Sequence, residues 1–342
     1  MKMKHVKTML KSVLALAMAI SLVGCATPQD TSKQTSEITL QDQSTEERTV
    51  TIDEPAKSVV SCYYVTTYAM LSLGISDRLV GIEKKADTRE IYKMANEELL
   101  DLPQVGSLKQ INVEQIAKLN PDLVILPMKL KDNLTALEDL GITTIIVNPE
   151  SHDELVEMLT LIGKACGVED KAKALTDYYT EQLKTIESYG KVDMNVYMTS
   201  NSSYLETAPE SMYQSSLITS AGGNNAAKDI EGDYWTKVSY ESLLKMNPDM
   251  IVIPAGASFT KEDILKDKQL SSLKAVQNKA IYQMPQGLEE WDSPVPSGIL
   301  GSMWLASILH EDQYSFETFQ KDAKDFYKTF YGFDVDTSLL TK

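Results

Sequence analysis

Residues 112–127 read NVEQIAKLNPDLVILP, and residues 239–254, displaced by 127 positions, read SYESLLKMNPDMIVIP. Six of these 16 positions are identical without a gap, and the others match in hydrophobicity. Solenoid repeats recur every 20–50 residues or so, and this spacing is far longer. Such a chain is constrained to fold as two related lobes.

The pattern around the repeat gives the class of each lobe. Short apolar runs at 58–61, 79–82, 123–126 and 144–147 alternate with helix-period stretches at 65–74, 112–119 and 131–140. Gly74, Pro121 and Gly141 punctuate them, as helix stops do. Strand and helix in alternation imply an α/β fold, with parallel sheets covered on both faces. Between the halves, Ala172, Leu175, Tyr179, Leu183 and Ile186 recur at steps of three and four, the mark of one long amphipathic helix over 169–190. The expected architecture is two Rossmann-like lobes joined by that stiff helix, with a ligand cleft between them.

The N-terminus sets the compartment. Lys2, Lys4, Lys7 and Lys11 precede an apolar stretch over 13–23. That stretch falls well short of the roughly 20 residues needed to cross a bilayer, and it has the length and flanks of a signal peptide. It ends Leu22-Val23-Gly24-Cys25, which resembles the bacterial lipobox. The resemblance implies cleavage before Cys25 and a lipid on its thiol. Residues 26–47 are rich in Thr, Ser, Gln and acids, the composition of a disordered tether. The expected layout is a signal peptide over 1–24, a lipidated cysteine and tether over 25–47, a first lobe over 48–168, the helix over 169–190, and a second lobe over 191–342. Losing the four lysines of the leader takes the net charge from −16 to −20, so nucleic acid and anionic lipid are poor partners. Cys62 and Cys166 remain, and whether they pair is open in the sequence.

The order of motifs resembles one family, the solute-binding proteins of iron–siderophore, haem and vitamin B12 importers. The resemblance rests on Leu73-Gly74 with Asp77-Arg78-Leu79-Val80-Gly81, Val105-Gly106-Ser107, Asn112 with Glu114, and Asn120-Pro121-Asp122. In the second half it rests on Ala221-Gly222-Gly223-Asn224, Trp235 with Val238-Ser239 and Glu241, and Asn247-Pro248-Asp249. It spans nearly everything from residue 48 onward. It implies a monomer with no cofactor of its own, which passes a small molecule to an ABC permease dimer powered by a cytoplasmic ATPase. Glu114 and Glu241, equivalent in the repeat, match the family's two permease-docking glutamates. Each also sits where a helix's first turn favours an acid, after the N-cap types Asn112 and Ser239.

Ligand contacts are expected at the cleft. Tyr63 and Tyr64 follow the first strand, and ligands of parallel sheets bind beyond the carboxyl ends of strands. Tyr204 is their counterpart in the second lobe. Trp235 stands six residues before Glu241, the offset of a cleft tryptophan in the family's vitamin B12-binding member. The matching position before Glu114 is Leu108, which brings in residues 107–110 with Lys109 as a charge. The family also places contacts in the loop holding Trp291 and Asp292, while Trp304 reads as core. Only His152 and His310 remain after the leader, too few for a bare zinc or manganese site. Only Arg48, Arg78 and Arg89 exist, too few to grip a highly anionic chelate. A ferric siderophore or a corrinoid fits best, with haem or a metal oxyanion as alternatives, and a sensory or adhesive role on the same fold as another. No nucleophile–base motif, P-loop or dinucleotide fingerprint points to an enzyme.

Overall fold

The structure, a computed structural model, describes residues 37–44 and 48–342. The leader and Cys25 lie outside the described residues. The first lobe is built on a six-stranded sheet in the order Gln110–Ile111, Gln104–Ser107, Leu79–Glu83, Val59–Ser61, Leu123–Pro127, Thr144–Val147. All neighbours are parallel except the two-residue edge strand Gln110–Ile111. The second lobe has four parallel strands in the order Asn224–Asn225, Asn195–Met198, Met250–Ile253, Ile281–Gln283. Central strands such as Leu123–Pro127 and Met250–Ile253 are buried at every position, as helices on both faces require.

The repeat proves to be a scaffold device used twice. Asn112 and Ser239 cap the helices Val113–Leu119 and Tyr240–Met246 by accepting from the N–H groups of Gln115 and Ser242. Asn120 and Asn247 end those helices in the left-handed region, at φ 46° and 42°, which asparagine tolerates better than most residues. The prolines that follow block any continuation. Asp122 then accepts from the N–H groups of Lys57 and Ser58, both at 2.8 Å, and Asp249 from that of Asn195 at 3.0 Å. Each aspartate thereby ties the repeat to the start of the neighbouring central strand.

The joining helix is Glu169–Glu187, 19 residues and about 28 Å at about 1.5 Å per residue. It packs on His152–Ala165 of the first lobe and on Gly298–Leu309 of the second. Gly163 permits the first of these contacts, because a Cβ there would lie 2.4 Å from the Cβ of Ala172. Cys62 and Cys166 are free and buried.

The disordered tether needs one correction. Ile38–Gln41, assigned above to it, pairs antiparallel with Thr49–Ile52 in the register Leu40↔Val50. Leu40 is buried, Asp42 accepts from the Ile146 N–H and pairs with Arg48, and Gln43 bonds to Asn148 and Glu154. Alternation of Ile38 and Leu40 with polar residues was the sign of a strand, masked by the polar composition around it.

Candidate functional site

The carboxyl ends of first-lobe strands, with a helix start and loops of the second lobe, surround a cleft of about 500 Å³, within the usual range for a small-molecule site. Chain geometry explains the lining. Tyr63 and Tyr64 leave Val59–Ser61, Met128 and Lys129 leave Leu123–Pro127, and Asn148 to Glu150 leave Thr144–Val147. From the second lobe come Met212, Tyr213 and Gln214 at the start of the helix Tyr213–Ser220, with Tyr234, Trp235, Ser293 and Pro294. Tyr63 and Tyr64 meet edge to face at 5.0 Å between ring centres.

The helices that open onto the cleft differ from the repeat helices. Tyr64–Ser72 and Tyr213–Ser220 begin at Tyr63 and Met212, and neither has a side-chain cap. Asn112, Ser239 and Ser151 all cap theirs. First-turn N–H groups are therefore left without side-chain acceptors where a ligand would lie.

Electrostatics are balanced. Among the described lining residues the charged side chains are Lys129, Lys131, Asp132 and Glu150, which cancel. None of the arginines lines the cleft. Arg48 pairs with Asp42 and Glu138, and Arg78 donates to the carbonyls of Ala56 and Cys166. Arg89 pairs with Glu290 at 2.8 Å and Glu83 at 3.3 Å. The two described histidines, His152 and His310, are buried away from the cleft lining. His152 is buried, which pushes its pKa down to about 4, and its Nδ1 lies 2.7 Å from the Tyr179 hydroxyl. Tyr179 in turn lies 2.8 Å from the hydroxyl of Tyr213, a chain of contacts from first lobe through joining helix to cleft wall. No group of three or more His, Cys, Asp or Glu among the described residues could hold a metal ion.

The structure brings Tyr63, Tyr64 and Trp235 together on the cleft, with Leu108 also on its lining. Lys109 is exposed in a separate groove beside Glu114, because the turn between Gln104–Ser107 and Gln110–Ile111 directs neighbouring residues apart. Tyr204 is also away from the cleft. Its hydroxyl donates to Asp267 at 2.9 Å and its ring packs edge-on against Phe259. Trp291 is core, with 1% exposure, its indole N–H donating to Tyr327 and its ring against Phe319. Asp292 lies just behind the wall, buried, its carbonyl accepting from Gln214 Nε2 at 2.7 Å, and only its neighbours Ser293 and Pro294 reach the lining. Trp304 is fully buried, as expected. Glu114 and Glu241 are exposed in the first turns of the two repeat helices.

Sequence reasoning passed over Met128, Lys129 and Lys131. They directly follow a strand, the same sign that drew attention to Tyr63 and Tyr64. Tyr234 is 65% exposed, with the Lys129 ammonium 5.3 Å from its ring centre across the mouth. Met212 and Gln214 carried no local sign, since only the second sheet's topology brings their helix to the cleft.

The family described as periplasmic binding protein matches residues 59–288. A Bacillus subtilis protein named as the uncharacterized ABC transporter substrate-binding lipoprotein YvrC is 28% identical over 317 residues, covering 87% of this chain and 96% of its own length. The molybdate-binding protein MolA of Haemophilus influenzae is 24% identical, covering 83% of this chain and 89% of its own. The Fe(3+)-citrate-binding protein YfmC of B. subtilis is 27% identical over 69% of this chain and 76% of its own. A periplasmic solute-binding protein from Veillonella parvula superposes with a TM-score of 0.77 at 24% identity, covering 89% of this chain and 97% of the other. The chain belongs to the periplasmic binding protein family.

Proposed function

We propose that the protein is the extracytoplasmic receptor of an ABC importer, held to the membrane through a lipid on Cys25. It captures a metal chelate, a ferric siderophore foremost, or a corrinoid, and delivers it to the permease through Glu114 and Glu241. The lipobox-like segment and the lipoprotein named among the relatives support the anchor. The single observation that carries the ligand class is the cleft itself. Aromatic walls from both lobes face each other around charges that cancel, which suits a bulky ligand of little net charge. The ferric-citrate-binding relative is consistent with a chelate.

A second reading has its own support. The two uncapped helix starts and the molybdate-binding relative favour a compact oxyanion, because helix N-termini attract anions. Titration of the full-length protein separates the two, followed by tryptophan fluorescence. The probes are a ferric hydroxamate siderophore, cyanocobalamin, ferric citrate, haem and molybdate. Saturable quenching by the siderophore or the corrinoid, with no response to molybdate, is expected. Tight binding of molybdate alone would replace the first reading with the second.

A further inference from the structure

Arg89 lies outside the cleft lining, yet it touches the cleft wall and both lobes. Its guanidinium sits 4.0 Å from the centre of the Tyr64 ring. Tyr64 also lines the cleft, so the guanidinium packs on a ring of the cleft wall. The same group donates to the Tyr68 hydroxyl at 3.1 Å and pairs with Glu83 at 3.3 Å, both in the first lobe. Across the seam it pairs with Glu290 of the second lobe at 2.8 Å. Two more bonds cross beside it, from the Tyr68 hydroxyl to Glu290 at 2.9 Å and from the Tyr64 hydroxyl to Ser293 at 3.1 Å. Ser293 lines the cleft as well. Arg89 is 15% exposed at its side chain and Glu290 31%, so water screens this junction only in part.

This arrangement joins two quantities that are usually separate. The Tyr64 ring cannot turn without leaving the guanidinium and Ser293, and the second lobe cannot recede without breaking the Arg89–Glu290 pair. We infer that Arg89 is a positioning residue for the ligand wall, fixing the orientation of Tyr64 and the approach of the second lobe through one guanidinium, so that occupancy of the cleft and lobe separation are coupled. The coupling to occupancy rests on reading the cleft as a solute site, whereas the positioning does not.

Hydrogen exchange of the full-length protein without ligand tests the positioning. Arg89→Met should raise exchange about tenfold in residues 63–68 and in residues 290–295 together, the loss of one charge-assisted bond. Glu290→Gln should loosen the same two segments, and the double variant should go no further than Arg89→Met. Arg89→Lys keeps the charge and the fold while losing the planar fork, and should fall between wild type and Arg89→Met. Loosening confined to the residues around Arg89, in Arg89→Met and Arg89→Lys alike, overturns the proposal. The coupling is tested with whichever of the five probes binds wild type. Affinity should fall about tenfold in Arg89→Met through faster dissociation, with Arg89→Lys intermediate. Unchanged affinity alongside the two-segment loosening refutes the coupling. If wild type binds none of the probes, the solute reading fails, and the exchange pattern still decides the positioning.

Discussion

The two lobes are alike where they hold themselves up and unlike where they face each other. Both use an Asx or Ser cap, a left-handed asparagine, a proline and an aspartate that ties down the adjacent strand. At the cleft the first lobe presents Tyr63, Tyr64 and Leu108, and the second presents Met212, Tyr213 and Trp235. A duplicated scaffold keeps what folding needs on both sides. A single asymmetric ligand has no use for two identical walls. Conversely, a symmetric pair of exposed glutamates is what a symmetric partner would meet.

Breaking the symmetric part outside the fold should have the largest effect. Glu114→Lys combined with Glu241→Lys should abolish uptake in cells that depend on the importer and leave probe affinity intact. Normal uptake in that strain removes the docking assignment. Trp291 and Trp235, both of the second lobe, come next, because they separate core from wall. Trp291→Ala should cost about 3–5 kcal/mol in denaturant unfolding, as a buried aromatic with a hydrogen-bonded indole does. Trp235→Leu makes the second wall resemble the first at Leu108. It should leave stability within about 0.5 kcal/mol, as for a partly exposed site, and weaken binding about tenfold, from loss of a large aromatic contact. Equal stability losses in the two variants would contradict the division.

The caps sharpen the comparison further. Asn112→Ala and Ser239→Ala should each cost about 1 kcal/mol, and their sum should hold in the double variant because they lie in different lobes. The last comparison is a pH dependence in which the buried carboxyls of the second lobe outweigh the opposing buried His152 of the first, whose folded pKa is lowered to about 4. Burial pushes the carboxyls of Glu289 and Asp292 up to about 7. Raised folded values mean that the folded state binds more protons than the unfolded chain between about pH 4 and 7. Their contribution is complete at the low end of that window and is lost as pH rises through it. Unfolding midpoints from pH 4.5 to 7.5 should therefore fall, and Glu289→Gln with Asp292→Asn should flatten the slope. Asp122 and Asp249, one per lobe, have lowered values, so their contribution is lost only in stronger acid.

Much of this was legible because it repeats or alternates. The register of residues 112–127 against 239–254 marked the lobes, and the period of Ala172 to Ile186 marked the joining helix. Tyr63 and Tyr64 were legible from their place just after a strand, and Trp235 from the offset to Glu241 that the family resemblance supplied. Four expected cleft contacts, Lys109, Tyr204, Trp291 and Asp292, lie off the lining because contacts the local sequence does not show decide their places. Trp291 lies among Glu289, Glu290 and Asp292, a polar setting that reads as surface, yet Tyr327 and Phe319 from the C-terminal segment enclose it. Tyr204 is claimed by Asp267, 63 residues away. Lys109 differs from Leu108 by one step on a tight turn, and one step is enough to change sides. Arg89 drew notice only as one of three arginines, since its partner Glu290 lies 201 residues along the chain.

Native mass spectrometry of the full-length protein, purified from the organism that makes it, tests the account most directly. Wild type should carry a single non-covalent adduct with the mass of a ferric chelate or a corrinoid, and Trp235→Leu should arrive largely empty. A bare oxyanion adduct, or a bulky adduct held equally well by Trp235→Leu, would contradict an uncharged guest gripped between the two unlike walls.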